Sequence, residues 1–189
     1  MRKVVAYTLV SVDGVAESPE QFFFHFDEVM EANLAEVIAT QDTVLLGRTM
    51  YDEWSSYWPT SDDQPFADFI NHVHKYVATS TPLTGEWTNA ESIQGPVDAF
   101  VRELKSGDGG DIGVHGSISL TQSLLAAGLV DEVRLVVAPR VAGSGRRLFE
   151  DDVAYSLELV RCTGSPTGSL LVHYNVVAAT EVADRSPGD

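Results

Sequence analysis

The sequence is poor in cysteine and in basic residues. Cys162 is the single cysteine, so neither an intramolecular disulfide nor a multi-cysteine metal site can form. The 12 lysines and arginines stand against 28 acidic residues, which gives a formal net charge of −16. Nucleic acids and anionic membranes are bound by clustered basic side chains, so we expect neither as a partner. The lack of disulfides favours a reducing, cytoplasmic location.

Long apolar runs are also missing, since no segment approaches the ~20 residues that span a bilayer. Residues 2–12 are basic and then apolar, as in a signal peptide, but they reach Asp13 and Gly14 without a small-residue cleavage site. We interpret them as a buried first strand. The 189 residues, 44% of them hydrophobic, fit one domain. We expect it to span residues 1–178 and the polar residues 179–189 to form a flexible tail.

The hydrophobic pattern predicts an α/β fold. Nearly continuous apolar runs typical of strands buried on both faces occupy residues 3–10, 43–46, 75–79, 111–114 and 132–138. Apolar residues at helical spacing occupy residues 27–40, 65–72, 96–105 and 117–127, and Gly128 stands at a helix C-cap. Residues 155–161 and 169–178 alternate around a glycine-rich turn, which indicates an antiparallel C-terminal hairpin. A central mixed sheet follows.

Residues 111–120 contain a strand, a turn of small residues and a helix start. The turn is His115-Gly116-Ser117. Unpaired N–H groups and the positive end of the macrodipole at a helix N-terminus attract anions. The pattern therefore suits a phosphate-bearing ligand. A tight turn with no ligand explains the same residues, because this turn is less specific than a full glycine fingerprint.

Residues 43–58 repeat the order of strand, glycine turn and helix start. Here Gly47 is followed by Arg48, whose guanidinium can contact a phosphate bidentately. The alternative is a surface arginine that pairs with a nearby acid such as Asp52. Two such turns could hold one dinucleotide at separate phosphates.

Together with residues 11–14 and 139–149, these motifs resemble the dihydrofolate reductase-like superfamily, and within it a stand-alone member of the riboflavin-biosynthesis reductase (RibD C-terminal) domain family. The resemblance spans residues 2–178. It implies a three-layer α/β/α fold and an NADPH-dependent reductase of a pterin or pyrimidine type substrate, such as 5-amino-6-(5-phosphoribosylamino)uracil or a dihydrofolate-like compound. It also implies a homodimer paired through residues 133–138 and the hairpin. The alternative is a nucleotide-binding protein of this fold without reductase activity.

The resemblance also implies a set of cofactor-binding residues. They are Gly47, Arg48, Thr49, Thr79, Ser80, Val114, His115, Gly116, Ser117, Ile118, Ser119 and Leu120. Thr79 and Ser80 would lie beside the 2′-phosphate. His115 replaces a family glycine, so it either lines the cofactor site or tolerates an unusual backbone conformation. Met50 replaces a frequent family threonine, and Thr49 offers a neighbouring hydroxyl.

On the substrate side, the resemblance implies Asp13, Tyr51 and Trp54 as binding residues. It also implies Asp27, or alternatively its neighbour Glu28, as a catalytic acid that assists proton delivery. Helix-start acids such as Asp27 also stabilise the helix dipole without any ligand. Candidates for a substrate phosphate are Arg140, Arg146 and Arg147. The pair His72 and His74 has the spacing of metal ligands but no third partner in the sequence, so no metal is expected.

Overall fold

A computed structural model describes residues 1–150 and 153–177. The strands of its central sheet are β1 Val4–Val10, β2 Gln41–Gly47, β3 His74–Ala78, β4 Ala90–Ser92, β5 Asp111–His115, β6 Glu132–Val137, β7 Ser156–Gly164 and β8 Leu170–Val177. The helices are α1 Glu28–Ile38, α2 Arg48–Tyr57, α3 Phe66–His72, α4 Val97–Ser106 and α5 Ile118–Ala126, with short 3-10 turns at Pro19–Gln21 and Trp58–Thr60.

The eight strands form one sheet in the order β4-β3-β2-β5-β1-β6-β8-β7. The first six strands in this order run parallel, and β8 pairs antiparallel with both β6 and β7. Helices lie in the connections between the parallel strands except that from β3 to β4, which is a loop, and a turn joins β7 to β8. The predicted three-layer α/β fold with a mixed sheet and an antiparallel C-terminal hairpin is confirmed.

Both faces of the sheet are covered, as the continuous apolar strands predict. On one face, Val5 and Tyr7 of β1 pack with residues of α1 and α3. On the other face, Val4 and Ala6 pack with residues of α4 and α5. Because side chains alternate along a strand, β1, β2 and β6 each contribute buried residues to both clusters. The carboxyl ends of β1, β2 and β5, which are neighbours in the sheet, meet at one edge.

Most predicted elements lie within a few residues of their predicted bounds. Gly128 ends α5 with φ +66°, and its N–H donates to the Leu125 carbonyl at 2.9 Å, as expected of a C-cap glycine. Strand β4 escaped prediction because it has three residues and lies at the sheet edge. The predicted tail lies outside the described residues. None of the described helices is long and apolar enough to cross a membrane.

Candidate active site

A cleft of about 1380 Å³ opens at the edge where β1, β2 and β5 end. We divide it into two halves by the residues that line it. The helix-end half is lined by Gly47, Arg48, Thr49, Gly116, Ser117, Ile118, Ser119, Leu120 and Arg146. The aromatic half is lined by Tyr7, Phe26, Leu34, Trp54, Trp58 and Phe66. His115 lines the floor between them.

The helix-end half joins the two predicted turns. Gly47 is the last residue of β2 and the N-cap residue of α2, and Ser117 is the N-cap residue of α5. The Gly47 N–H donates to the Ser117 hydroxyl at 2.9 Å. This hydroxyl makes no hydrogen bond to the first turn of α5, so it links the turns rather than capping its own helix. Two helix N-termini, each a site of positive potential, therefore enter one cleft.

Gly116 lies in the turn before α5 and packs closely against Met50. Its φ is +64°, a conformation that L side chains rarely adopt, and a Cβ there would lie 2.9 Å from the Met50 methyl carbon. The missing side chain therefore lets Met50 pack directly against the backbone of this turn. The N–H groups that follow at the start of α5 are not capped by the Ser117 side chain, and such groups suit a phosphate.

Arg48 contacts both an acid and a group of hydroxyls. Its Nε donates to the two Asp52 carboxylate oxygens at 2.9 and 2.8 Å, which matches the ion-pair alternative. Its Nη1 donates to the Thr81 hydroxyl at 2.5 Å and lies 3.4 Å from that of Thr79. Thr79 and Arg48 are thus brought together. Ser80 is exposed between the two threonines, and no contact of its side chain joins it to Arg48 within the described residues.

Arg146 reaches the helix-end half from the loop between β6 and β7. Its Nη1 donates to the Ser119 hydroxyl at 3.0 Å, in the first turn of α5. Its Nη2 pairs with Glu150 at 2.7 Å. Arg146 therefore lies beside the predicted cofactor residues, and its candidate role at a substrate phosphate stays a prediction.

His115 is buried, at 2% exposure. Its Nε2 lies 2.8 Å from the Gln41 side-chain oxygen, and the ring contacts Tyr7 and Phe66 with centroids 5.8 and 5.3 Å apart. Burial lowers the pKa of His115 to about 3, so the ring is neutral at physiological pH. The left-handed backbone conformation lies at Gly116 and not at His115. His115 therefore forms part of the cleft floor.

The aromatic half has a continuous wall of rings. Trp54 meets Trp58 edge to face at 5.7 Å and Phe66 at 5.5 Å, and Trp58 meets Phe66 at 4.9 Å between centroids. Phe66 in turn contacts His115. Aromatic pairs of this kind prefer edge-to-face packing and form rigid apolar surfaces. Trp54 was predicted for the substrate side, and it lies in the cleft.

Two buried polar atoms of the aromatic half have no protein partner among the described residues. The Tyr7 hydroxyl and the Trp58 indole nitrogen are both buried and make no hydrogen bond. Burial raises the pKa of Tyr7 above its ordinary value, so the hydroxyl keeps its proton. Buried polar groups without partners are rare in folded proteins.

Asp27, the predicted catalytic acid, caps α1. One carboxylate oxygen accepts from the Val29 and Met30 N–H groups at 3.1 Å, and the other accepts from the Thr167 hydroxyl at 2.7 Å. Partial desolvation opposes ionisation, but hydrogen bonds from Thr167 and Ser165 lower the pKa of Asp27 to about 2. Asp27 does not line the cleft. These contacts match the helix-capping alternative, and a role in proton delivery stays a prediction.

Asp13 holds a loop in place. It accepts from the Ser11 hydroxyl at 2.6 Å and from the N–H groups of Ala142 and Gly143 at 2.9 Å each. These hydrogen bonds, that from Ser11 foremost, hold the pKa of Asp13 well below its usual range. The carboxylate thereby fixes the loop that carries Arg146, and it is not among the residues lining the cleft.

Two other predicted residues lie in the core. Tyr51 is 1% exposed and donates to the Gly85 carbonyl at 2.6 Å, because α2 turns this side chain toward Trp87 and away from the cleft. Val114 is fully buried on the α4/α5 face of β5. Both residues belong to the hydrophobic core next to the cleft and do not line it.

The remaining candidates lie elsewhere. The Arg140 guanidinium stacks on Phe24 at 4.6 Å, and the Arg147 Nε donates to the Asp13 carbonyl at 3.0 Å. His72 faces the Asp68 carbonyl and His74 pairs with Glu91. Among the described residues, no group of three or more potential ligands could hold a metal ion.

The structure adds contacts that the sequence did not predict. Thr81 contacts Arg48 more closely than Thr79 does. Tyr7 and Trp58 line the aromatic half with unpartnered polar atoms. Tyr7 lies inside an apolar strand pattern, so its polar role has no local signal. The sequence likewise gives no signal for the direction of the Trp58 indole.

Comparisons with known proteins identify the family of this chain. Residues 2–171 match the family model of the RibD C-terminal domain. The chain is 29% identical over 181 residues to the uncharacterized protein YyaP of Bacillus subtilis (strain 168), covering 92% of this chain and 96% of that one.

Solved structures share the fold at low sequence identity. A putative riboflavin biosynthesis protein from Shewanella sp. PV-4 has a TM-score of 0.75 at 14% identity and covers 93% of this chain and 99% of its own. A second similar structure has a TM-score of 0.68 at 14% identity, and the match covers 93% of this chain and 57% of that one. It is a diaminohydroxyphosphoribosylaminopyrimidine deaminase/5-amino-6-(5-phosphoribosylamino)uracil reductase from Thermotoga maritima. Since the family model spans nearly the whole chain, this protein belongs to the RibD C-terminal domain family.

Proposed function

We propose that the protein is an NADPH-dependent reductase of a small heterocyclic substrate of the pterin or pyrimidine type. One observation carries the proposal: the N-termini of α2 and α5 enter a single cleft, joined by the hydrogen bond from Gly47 to Ser117. Membership in the RibD C-terminal domain family supports an oxidoreductase. The alternative is a nucleotide-binding protein of the same fold that lacks reductase activity.

The helix-end half has the donors that a dinucleotide needs. The uncapped N–H groups at the start of α5, which follow the Gly116 turn, suit the pyrophosphate. Arg146 and the Ser119 hydroxyl add donors beside the same turn. When bound, the cofactor supplies a hydride for two-electron reduction of the substrate.

The preference for NADPH over NADH rests on Arg48 and its neighbours. The guanidinium lies against the hydroxyls of Thr79 and Thr81, at the ends of β2 and β3. A 2′-phosphate seated there would accept charge-assisted hydrogen bonds and replace the contact between Arg48 and Asp52. NADH offers only a hydroxyl at that position.

The aromatic half suits a flat substrate. Trp54, Trp58 and Phe66 provide apolar faces, while the buried Tyr7 hydroxyl and the neutral His115 ring provide polar groups at the floor. The protein's part in the reaction is alignment of the substrate beside the cofactor, which needs no protein nucleophile.

Two measurements test this function. Quenching of tryptophan fluorescence by NADPH, with NADH in parallel, measures cofactor binding. Consumption of NADPH at 340 nm against a panel of pterins and pyrimidines then measures reduction. We expect tight NADPH binding and oxidation with at least one member of the panel. Binding without oxidation by any member supports the nucleotide-binding alternative, and no binding contradicts both functions.

We also propose a homodimer formed through the C-terminal hairpin. Strand β7 lies at the sheet edge, and its Leu159 and Val160 are 57% and 50% exposed. Exposed edge strands with apolar side chains pair readily with a second chain. We expect light scattering to give twice the monomer mass of 20.5 kDa and Leu159→Lys to shift the protein toward monomer. A monomer mass for the unmodified protein at micromolar concentration contradicts the dimer.

A further inference from the structure

The charges that line the cleft are distributed unevenly. Six carboxylates line it: Glu17, Glu20, Glu31, Glu53, Asp62 and Asp63. None of the six forms an ion pair within residues 1–150 and 153–177. The lining residues include two basic side chains, Arg48 and Arg146, and both belong to the helix-end half.

Four of the six acids come from the elements that build the aromatic half, whereas Glu17 and Glu20 lie between β1 and α1. Glu31 lies on α1, three residues before Leu34, and Glu53 precedes Trp54 on α2. Asp62 and Asp63 follow the Trp58–Thr60 turn that positions the wall. The aromatic half therefore combines an apolar wall with an acidic rim and contains no lysine or arginine among its lining residues.

A second observation points to a ligand in the same place. Tyr7 is 6% exposed and lines the cleft, and its hydroxyl has no protein partner among the described residues. The Trp58 indole N–H beside the wall is also unpartnered. An unpaired buried donor is unfavourable unless another group satisfies it. A bound heterocycle with carbonyl or ring-nitrogen acceptors would supply these partners.

We infer, resting on the reductase proposed above, that the aromatic half takes a flat heterocycle without a phosphate group, uncharged or cationic, whose acceptor atom bonds to the Tyr7 hydroxyl. A substrate phosphate in this half would face several carboxylates and no cation, which is unfavourable. A phosphate clamp needs arginine or lysine. The two arginines of the cleft belong to the cofactor in the proposed function, and Arg140 and Arg147 make contacts outside the cleft lining.

The charge preference is tested with neopterin and neopterin monophosphate, two pterins that differ by one phosphate. NADP⁺ binding is measured first, and both pterins are then titrated into the NADP⁺-saturated protein by pterin fluorescence. We expect neopterin to bind at least tenfold more tightly than its monophosphate. Equal or tighter binding of the monophosphate overturns the inference alone, as does binding of neither pterin. Failure of NADP⁺ to bind overturns the proposed function and this inference with it.

Charge-reversal variants test whether the acidic residues of the aromatic half cause the preference for neopterin. In Glu31→Lys/Glu53→Lys, we expect the preference for neopterin to fall several-fold, with NADP⁺ affinity changed less than twofold. Glu86→Lys/Glu103→Lys, at two exposed positions outside the cleft lining, makes the same change in net charge elsewhere and should keep the full preference. The same drop in the Glu86→Lys/Glu103→Lys protein would show a general charge effect and overturn the assignment to the aromatic half.

Tyr7→Phe tests the hydrogen bond. It removes only the hydroxyl, so we expect neopterin affinity to fall about tenfold while NADP⁺ affinity and melting temperature are not reduced. Unchanged neopterin affinity in Tyr7→Phe overturns the role of the hydroxyl, because a merely unsatisfied group could be deleted without loss of binding.

Discussion

The two halves of the cleft are built in different ways. The helix-end half consists of backbone groups and small residues at two strand-turn-helix junctions, around Gly47 and Gly116. The aromatic half consists of large side chains from β1, α1, α2 and α3. The shape of the first half is imposed by the local chain, whereas the second depends on which side chains the fold brings together. Substitutions can therefore affect the two halves separately.

The largest expected effect is on the helix-end half, in Gly116→Val. A branched side chain there would have to adopt φ +64° and would collide with the Met50 methyl group, so the turn proposed to hold the pyrophosphate could not keep its shape. We expect NADPH affinity to fall below detection, more than about 100-fold, in a fluorescence titration.

The matched control for Gly116→Val is Ala126→Ser, an exposed position at the other end of α5, which should bind NADPH normally. Circular dichroism checks that the valine variant folds, and Gly116→Ala offers a milder strain if it does not. Normal NADPH affinity in folded Gly116→Val would move the cofactor site elsewhere.

The same difference between the halves explains what the sequence could predict. The strand, glycine turn and helix start at residues 43–58 and 111–120 are local patterns, and the structure brings them together because β2 and β5 are neighbours. Asp27 and Tyr51 have residue types that suit a site, but their side-chain directions depend on tertiary contacts. Asp27 bonds to Thr167, 140 positions away, and no local pattern encodes that contact.

The second expected effect is on the stability of the fold that supports the aromatic half, and it comes from Lys75. Lys75 is fully buried, and its ammonium group donates to the Ile70 and Val73 carbonyls at 2.8 Å each. These hydrogen bonds hold the C-terminal end of α3, the helix that carries Phe66 of the aromatic half. Burial lowers the pKa of Lys75 to about 8 from an ordinary 10.5. Between these pH values the folded state has lost the proton that the unfolded chain keeps, so the free energy of unfolding rises with pH.

The rise contributed by Lys75 is at most about 3 kcal/mol. Urea unfolding at several values between pH 8 and 10.5 measures it, and Lys75→Met provides the reference because its other titrating groups are the same. We expect the rise to be smaller in the methionine variant. Identical pH dependence in both proteins would show that Lys75 keeps an ordinary pKa.

The third and smallest effect returns to the helix-end half, in Arg48→Ala. Loss of one charge-assisted contact to the 2′-phosphate should weaken NADPH binding by about 1.5 to 3 kcal/mol and leave NADH affinity nearly unchanged. Arg161→Ala is the control, since Arg161 also pairs with one acid, Glu36, but lies on β7. Equal loss for NADPH and NADH would place Arg48 on another part of the cofactor, and no loss for either would exclude it from the site.

The most direct test of the two-part cleft is a crystal structure of the protein grown with NADPH. We predict the pyrophosphate against Gly116 and the start of α5, the 2′-phosphate beside Arg48 and Thr79, and the nicotinamide at the boundary with the aromatic half. The space between Trp54, Trp58 and Tyr7 should remain free for a substrate. Ordered NADPH that fills the aromatic half, or that binds away from the α2 and α5 N-termini, would contradict the account.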